Sequence, residues 1–356
     1  ERQMRDVAKT GATHVGIATP YDEEFLPIMK RWVSIARSHN LNIWFRGNFS
    51  GWEEWFEYKQ IDRATHIQKT QDFILQNPDI FMDGDVCSAC PECENGGPGD
   101  PRQNGDVNGH REFLIDEYNI TQKAFTQINK KVSSNYNSMN GDVARLIMNP
   151  ETTKALGGLV VIDHYVKTPE QLNADITEYA KLSGGKVVLG EFGAPIPDIN
   201  GDLTESEQAE WLEKTMKLLS QNEDLVGVNY WTNVGGSTQL WDELGNPREG
   251  AKSLEKAYSP YIVQGTILNT YNKPIDGASI LGGTKKTRSN SDGYYALPTF
   301  DKQIKVEVSA PGHKTIEKVL KANIDNIIIL EKTETNLLEK ILEIFSRINK
   351  LTSDLV

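Results

Sequence analysis

Glu191 ends the apolar run of the stretch KVVLGEFGAP (186–195). There Val187, Val188 and Leu189 give way to Gly190 and one acid, and small residues and a proline follow. An acid at the tip of a buried strand is held by the packing beneath it, which suits a group that must keep one position during a reaction. Chemically capable residues also stand at the ends of other apolar runs. Thr19-Pro20-Tyr21-Asp22 follows THVGIA (13–18). Arg46-Gly47-Asn48 lies in LNIWFRGNF (41–49), with Trp52 and Trp55 just beyond. Asp163-His164-Tyr165 ends GLVVIDHY (158–165), and Tyr230-Trp231, followed by Asn233, ends LVGVNYW (225–231). The run DIFM (79–82) leads into DGDVCSACPECENGGPGDPRQNGDVNG, which carries Asp83, Asp85, Glu92 and Glu94.

Carboxylates supply nucleophiles and general acids or bases, and an arginine or a tyrosine hydroxyl beside one keeps it ionised. Aromatic faces stack on the apolar faces of pyranose rings. Acids, one arginine, a His-Tyr pair and several aromatics on one rim, without histidines at metal-ligand spacing, point to a sugar site. Trp52, Trp55 and Trp241 either line such a site or pack over its mouth. His164 reads as a hydrogen-bonded rim residue rather than a proton donor.

These groups need a scaffold that brings strand ends together. Seven strand-like runs, the six apolar runs above and KVSSNYN (131–137), alternate with helical patterns up to about residue 259. Phe25, Ile28, Met29, Trp32, Val33 and Ala36 share one helical face, as do Leu172, Ile176 and Tyr179, and Leu212, Met216 and Leu219. Such alternation predicts parallel strands with helices outside. No glycine-rich phosphate loop follows a strand, so a (β/α)₈ barrel is expected over a doubly wound sheet, with functional groups at the C-terminal ends of its strands. Because the chain opens in a helical pattern, the first barrel strand is expected upstream of Glu1, and the barrel is open if nothing fills that place. The expected organisation is α/β: a TIM barrel over 1–259, a small all-β sandwich over 260–332 and a C-terminal helix over 333–356. In that helix Leu337, Ile341, Ile344, Ile348 and Leu351 recur at spacings of four and three, the seam of a short coiled coil or of a helix packed on its own chain.

The segment 13–258 resembles the large clan of retaining β-glycoside hydrolases built on (β/α)₈ barrels. The resemblance implies that Glu191, at the end of the seventh barrel strand, is the nucleophile, with Tyr165 bonded to it and His164 beside Tyr165. It implies that Trp231 floors the sugar site and that Arg46 also holds the nucleophile, although Arg46 stands on the third strand rather than the second. It implies an acid/base after the fourth strand, where the family has an Asn-Glu pair. This chain has Pro91-Glu92, so Glu92 is the candidate, with Glu94, Asp83 and Asp85 as rivals. Asn48, Trp52 and Trp55 complete the expected substrate-binding set. Residues 261–331 resemble the carboxypeptidase regulatory-like (transthyretin-like) fold through Gly265, Pro274, Gly277-Ala278, Ser291-Asp292-Gly293-Tyr294 and Gly312, which implies a spacer without catalysis.

The formal net charge is −12, with 38 Lys and Arg against 50 Asp and Glu, which disfavours a nucleic-acid partner. No apolar run is long enough to span a membrane. Cys87, Cys90 and Cys93 have a C-x₂-C-x₂-C spacing that suits zinc or part of an iron–sulfur cluster, with His110 the one candidate for a further ligand, or else one disulfide and a free thiol. The acidic loops NGDVNG (104–109) and DINGD (198–202) read as ordinary turns or calcium loops. The expected function is therefore a retaining β-glycosidase acting on a poly- or oligosaccharide, needing no cofactor, secreted or displayed at the cell surface, and able to self-associate through its C-terminal helix. The competing expectation is a non-catalytic, glycan-binding or structural barrel in a surface assembly, which Pro91 and the coiled-coil seam favour.

Overall fold

The computed structural model describes residues 1–97, 99–283 and 285–333. The chain divides into two units, Glu1–Ser259 and Pro260–Val356. The seam residues Leu337 to Leu351 lie outside the described residues.

The first unit carries seven strands: β1 (His14–Ile17), β2 (Asn42–Phe45), β3 (Val86–Cys87), β4 (Ser138–Asn140), β5 (Leu159–Asp163), β6 (Lys186–Phe192) and β7 (Leu225–Tyr230). Pairing is parallel throughout, in the orders β1-β2-β3 and β4-β5-β6-β7, with a parallel bridge from Val86 to Ser133 between the two runs. Helices follow the strands, as in Leu26–Ser38 after β1 and Pro169–Ser183 after β5. In β6, Val187, Val188 and Leu189 are all fully buried, as in a parallel strand covered on both faces. The helix Glu205–Leu219 starts in a capping box, in which Thr204 and Glu207 satisfy each other's exposed N–H groups.

Two expected strands are displaced. DIFM is a short 3₁₀ turn (Pro78–Ile80) and its exit, and the strand beside β2 is Val86–Cys87. The apolarity of DIFM reflects packing instead: Phe81 is buried against Phe45, Phe73 and Phe125. KVSSNYN is irregular apart from the Ser133 bridge, and the strand follows it at Ser138–Asn140.

Among the described residues nothing pairs with the outer edge of β1 or of β7. A cavity of about 930 Å³ lies there, lined by Val15 and Gly16 of β1, Val226 and Val228 of β7, and by Met4 and Val7 of the first helix. Trp44, Arg46 and Val188 form its inner wall. Among the described residues no helix is long and apolar enough to cross a membrane.

The second unit holds β8 (Tyr261–Asn269), β9 (Ser279–Gly282), β10 (Lys285–Arg288), β11 (Tyr294–Thr299), β12 (Gln303–Ser309), β13 (Ile316–Lys321) and β14 (Asp325–Leu330). One sheet has the order β10-β9-β12-β13 and the other β11-β8-β14. Pairing in these sheets is antiparallel except that β14 runs parallel to β8. Val263, Ile267, Ile280, Leu297, Val306 and Ile328 are fully or almost fully buried in its core. Gly265 is required at the β8–β14 contact, because an added Cβ would sit 1.8 Å from the Asn326 carbonyl.

Candidate active site

The C-terminal ends of β2, β5 and β6 bring Arg46, Asp163 and Glu191 together. β5 and β6 pair in simple register through Ile162 and Leu189, and the register then slips so that Asp163 faces Glu191 rather than Gly190. Such a bulge re-aims the side chain that follows it. The extra residue must be glycine, since a Cβ on Gly190 would stand 2.3 Å from Asp163 Oδ1 and 3.1 Å from Arg46 Nη1. Its carbonyl is used as well, accepting from Arg46 Nη1 at 2.5 Å and from Asn229 Nδ2 at 2.8 Å.

Both oxygens of Glu191 are held. Oε1 accepts from Arg46 Nη2 at 2.7 Å, and Oε2 accepts from the Tyr165 hydroxyl at 2.8 Å. The side chain keeps 14% exposure, so it is fixed from behind and open in front. Burial and the charge of Asp163 raise its carboxyl to about 7, against the opposing pull of Arg46 and Tyr165. Burial also opposes the charge of Arg46, but Asp163 and Glu191 outweigh it and the guanidinium stays protonated. Burial and Glu191 push the Tyr165 hydroxyl well up, so it remains a donor.

Glu92 follows β3 on the turn Cys90–Cys93. Its backbone is left-handed (φ 44°), with its N–H donated to the Ser138 carbonyl at 2.8 Å and its own carbonyl accepting from Asn95 N at 2.8 Å. Burial first, then the charges of Asp163, Glu191 and Glu94, raise its carboxyl to about 8, with Arg46 opposing. Its rival Glu94 is buried with one oxygen engaged: Oε1 accepts from the Asn140 N–H at 2.6 Å, while Oε2 has no partner among the described residues. Asp85 is buried among backbone N–H groups and Arg37, Asp83 accepts from the Lys131 N–H, and both precede β3, whereas Glu92 follows it.

The remaining expected residues divide. Trp231 is 41% exposed and lines the cavity beside Asn233, and Trp55 is also 41% exposed. Trp52 takes the packing alternative: it is 1% exposed, stacked on Phe113 and edge-on to His66. Asn48 is buried and its amide is fully committed. Its oxygen accepts from Phe49 N and faces His66 Nε2, and its nitrogen donates to Glu53 at 2.9 Å and lies 3.7 Å from Cys90 Sγ. This corrects the expectation that Asn48 meets substrate. His164 is likewise turned away from Glu191, with Nε2 2.8 Å from Asp175.

The metal reading of the cysteines is corrected. Cys90 and Cys93 form a disulfide and Cys87 is a buried free thiol. Among the described residues no group of three His, Cys, Asp or Glu side chains is placed to hold a metal ion.

Asp163 and Glu53 went unassigned in the sequence. Asp163 is legible in hindsight as the last residue of β5, one strand from Glu191. Glu53, raised to about 7 by burial and Glu94 against the hydrogen bond from Asn48, depends on a buried network with no local sequence signal.

The fold defined by these strands and helices is that of the α/β barrels carried by glycoside hydrolases. The chain is similar to a GH5_18 variant from Bifidobacterium longum subsp. longum solved with Manβ1-4GlcNAc, at a TM-score of 0.55 and 15% identity, covering 78% of this chain and 80% of that one. It is also similar to the β-glycosidase BGL167, at a TM-score of 0.50 and 14% identity over 73% and 86% of the two chains. A third likeness is to a β-glucuronidase from Ruminococcus gnavus in complex with D-glucuronic acid, at 0.50 and 14% identity, covering 72% of this chain. There the match spans only 45% of the longer protein. No family model and no curated protein sequence matches the chain.

Proposed function

We propose that the protein is a retaining β-glycoside hydrolase acting on a poly- or oligosaccharide. The observation that carries this is the double clamp on Glu191 by Arg46 and Tyr165, beside a second carboxyl, Glu92, whose proton is held to a higher pH. Glu92 donates its proton to the glycosidic oxygen while Glu191 attacks the anomeric carbon, giving a covalent glycosyl-enzyme and a released alcohol. The Glu92 carboxylate then takes a proton from water, the water oxygen attacks the anomeric carbon, and Glu191 leaves. Arg46 and Tyr165 keep the nucleophile oriented in both steps. Trp231, exposed on the rim, offers a face to a sugar ring.

A disulfide in the site accords with an oxidising compartment, which supports secretion or surface display. The small sandwich is read as a carboxypeptidase regulatory-like spacer, and self-association is assigned to the residues after Thr333.

The test is trapping with 2-deoxy-2-fluoro-β-glycosyl fluorides, including mannosyl and glucuronyl forms because two structural neighbours were solved with Manβ1-4GlcNAc and D-glucuronic acid. A mass adduct on the Glu191 peptide, absent in Glu191→Gln, is the expected result. The non-catalytic alternative draws on Pro91 standing before Glu92. It predicts no adduct, and glycan binding that Glu191→Gln leaves unchanged.

A further inference from the structure

We infer that the Cys90–Cys93 disulfide is a positioning device for Glu92, a brace whose opening disables proton transfer without disturbing Glu191. The inference rests on the glycosidase reading for its kinetic consequence and on geometry for its structural one.

The bridge joins residues three apart in sequence, so the ring it closes contains only Pro91 and Glu92 between the two cysteines. Glu92 is held there at φ 44°, a region that side chains with a Cβ enter rarely and leave when free to do so. Pro91 removes one further backbone freedom by fixing its own φ. The ring is tied down on both flanks. Asn48 Nδ2 reaches Cys90 Sγ at 3.7 Å, and Trp52 Nε1 donates to the Cys93 carbonyl at 3.3 Å. On the other side the Ser138 carbonyl accepts from the Glu92 N–H. Asn48 and Trp52, expected in the sugar site, thus act one layer further back.

Cys87 has the same spacing to Cys90 as Cys93 does, which raises the question of exchange between pairs. Only a thiolate attacks a disulfide. The Cys87 thiol is buried and pushed up to about 12, mainly by that burial, so it is a spectator and the pairing is fixed.

Opening follows ordinary thiol–disulfide exchange. One thiolate of a dithiol attacks a bridge sulfur and the S–S bond breaks, giving a mixed disulfide and one cysteine thiol. The second thiol of the reagent closes its own disulfide and releases the other cysteine. Two electrons and two protons pass to the protein and the reagent is oxidised. Glu92 then relaxes toward ordinary backbone angles and its carboxyl moves relative to the groups that face it: Asp163 on β5, Glu191 on β6, Arg46 just after β2 and Glu94 just after the turn.

The experiment compares the parent, Cys90→Ser/Cys93→Ser and Cys87→Ala, with the parent also measured after reduction by dithiothreitol. kcat is measured on aryl β-glycosides of graded leaving-group pKa, with and without azide. Loss of acid assistance should lower kcat at least tenfold for poor leaving groups, steepen the dependence on leaving-group pKa, and allow azide to restore turnover of good ones. Cys87→Ala should behave as the parent. In parallel, the Glu92 carboxyl is titrated by ¹³C NMR in protein labelled at glutamate carboxyls, in the oxidised form and in the serine variant. A lowered Glu92 pKa with an unmoved Glu191 supports the inference even where no glycoside is turned over, an outcome that would count against the glycosidase reading alone. Unchanged Glu92 titration, or unchanged leaving-group dependence in a folded serine variant, overturns it.

Discussion

One nitrogen of Arg46, Nη2, donates to Asp163 at 3.0 Å and to Glu191 at 2.7 Å, so a single buried cation balances two carboxyls on adjacent strands. One positive charge cannot neutralise two negative ones, and Asp163 and Glu191 compete for the proton that remains. Removing the cation leaves both acids uncompensated. Arg46→Met is expected to raise the acid limb of kcat/KM above its parental position and to cost about 3–5 kcal/mol of stability. A pH–rate profile and a denaturant titration check both.

In the proposed mechanism Glu191 works ionised and Glu92 protonated. Their carboxyls lie at about 7 and about 8, so the competent pair peaks between those values and falls away on either side. Asp163→Asn removes a negative charge from both, and both limbs of the bell should move to lower pH.

The same shifts bear on stability. A carboxyl whose pKa is raised in the folded state favours folding below its unfolded pKa, near 4.5, and that contribution is lost as pH rises through the folded value. Between roughly pH 4.5 and 8 the stability contributed by Glu92 and Glu191 therefore declines as pH increases. Glu92→Gln, which cannot ionise, should melt above the parent at pH 9 and show a flatter Tm–pH curve.

Trp52 and Trp55 should separate cleanly. Trp52→Ala empties a buried site against Phe113 and His66 and should cost about 3–5 kcal/mol. Trp55→Ala removes an exposed ring and should change stability by no more than about 0.5 kcal/mol, while raising KM for a polymeric substrate. Thermal melts and steady-state kinetics on both variants decide this.

Thiol counting is a direct check on the cysteines. Denatured protein should react at one sulfur, Cys87, before reduction and at all three after it. Reaction at three sulfurs without a reductant would remove the bridge.

The sequence revealed the long strands and the residues at their tips, because continuous apolar runs such as Val187 to Leu189 and Val160 to Ile162 have one plausible structural use. It concealed β3 and β4, which are two and three residues long and, apart from Val86, contain Cys, Ser, Met and Asn rather than β-branched residues. A strand that short is defined by its neighbours' hydrogen bonds, not by its own composition. Glu191, Arg46 and Tyr165 were legible because each ends or lies in an apolar run. The roles of Asn48 and Trp52 were not, because they rest on contacts with His66 and Phe113, residues on later helices that no local pattern around Asn48 or Trp52 announces.

Among the described residues the outer edges of β1 and β7 are unpaired, so the two parallel runs have a weak margin and a strong centre. Amide protons on that margin have no neighbouring carbonyl to open from, so they should trade with deuterium in solvent first, while those of β5 and β6 trade last. Glu191 and Asp163 sit at the slow end of this gradient. Opening at that margin should therefore leave the carboxyls of Asp163 and Glu191 in place.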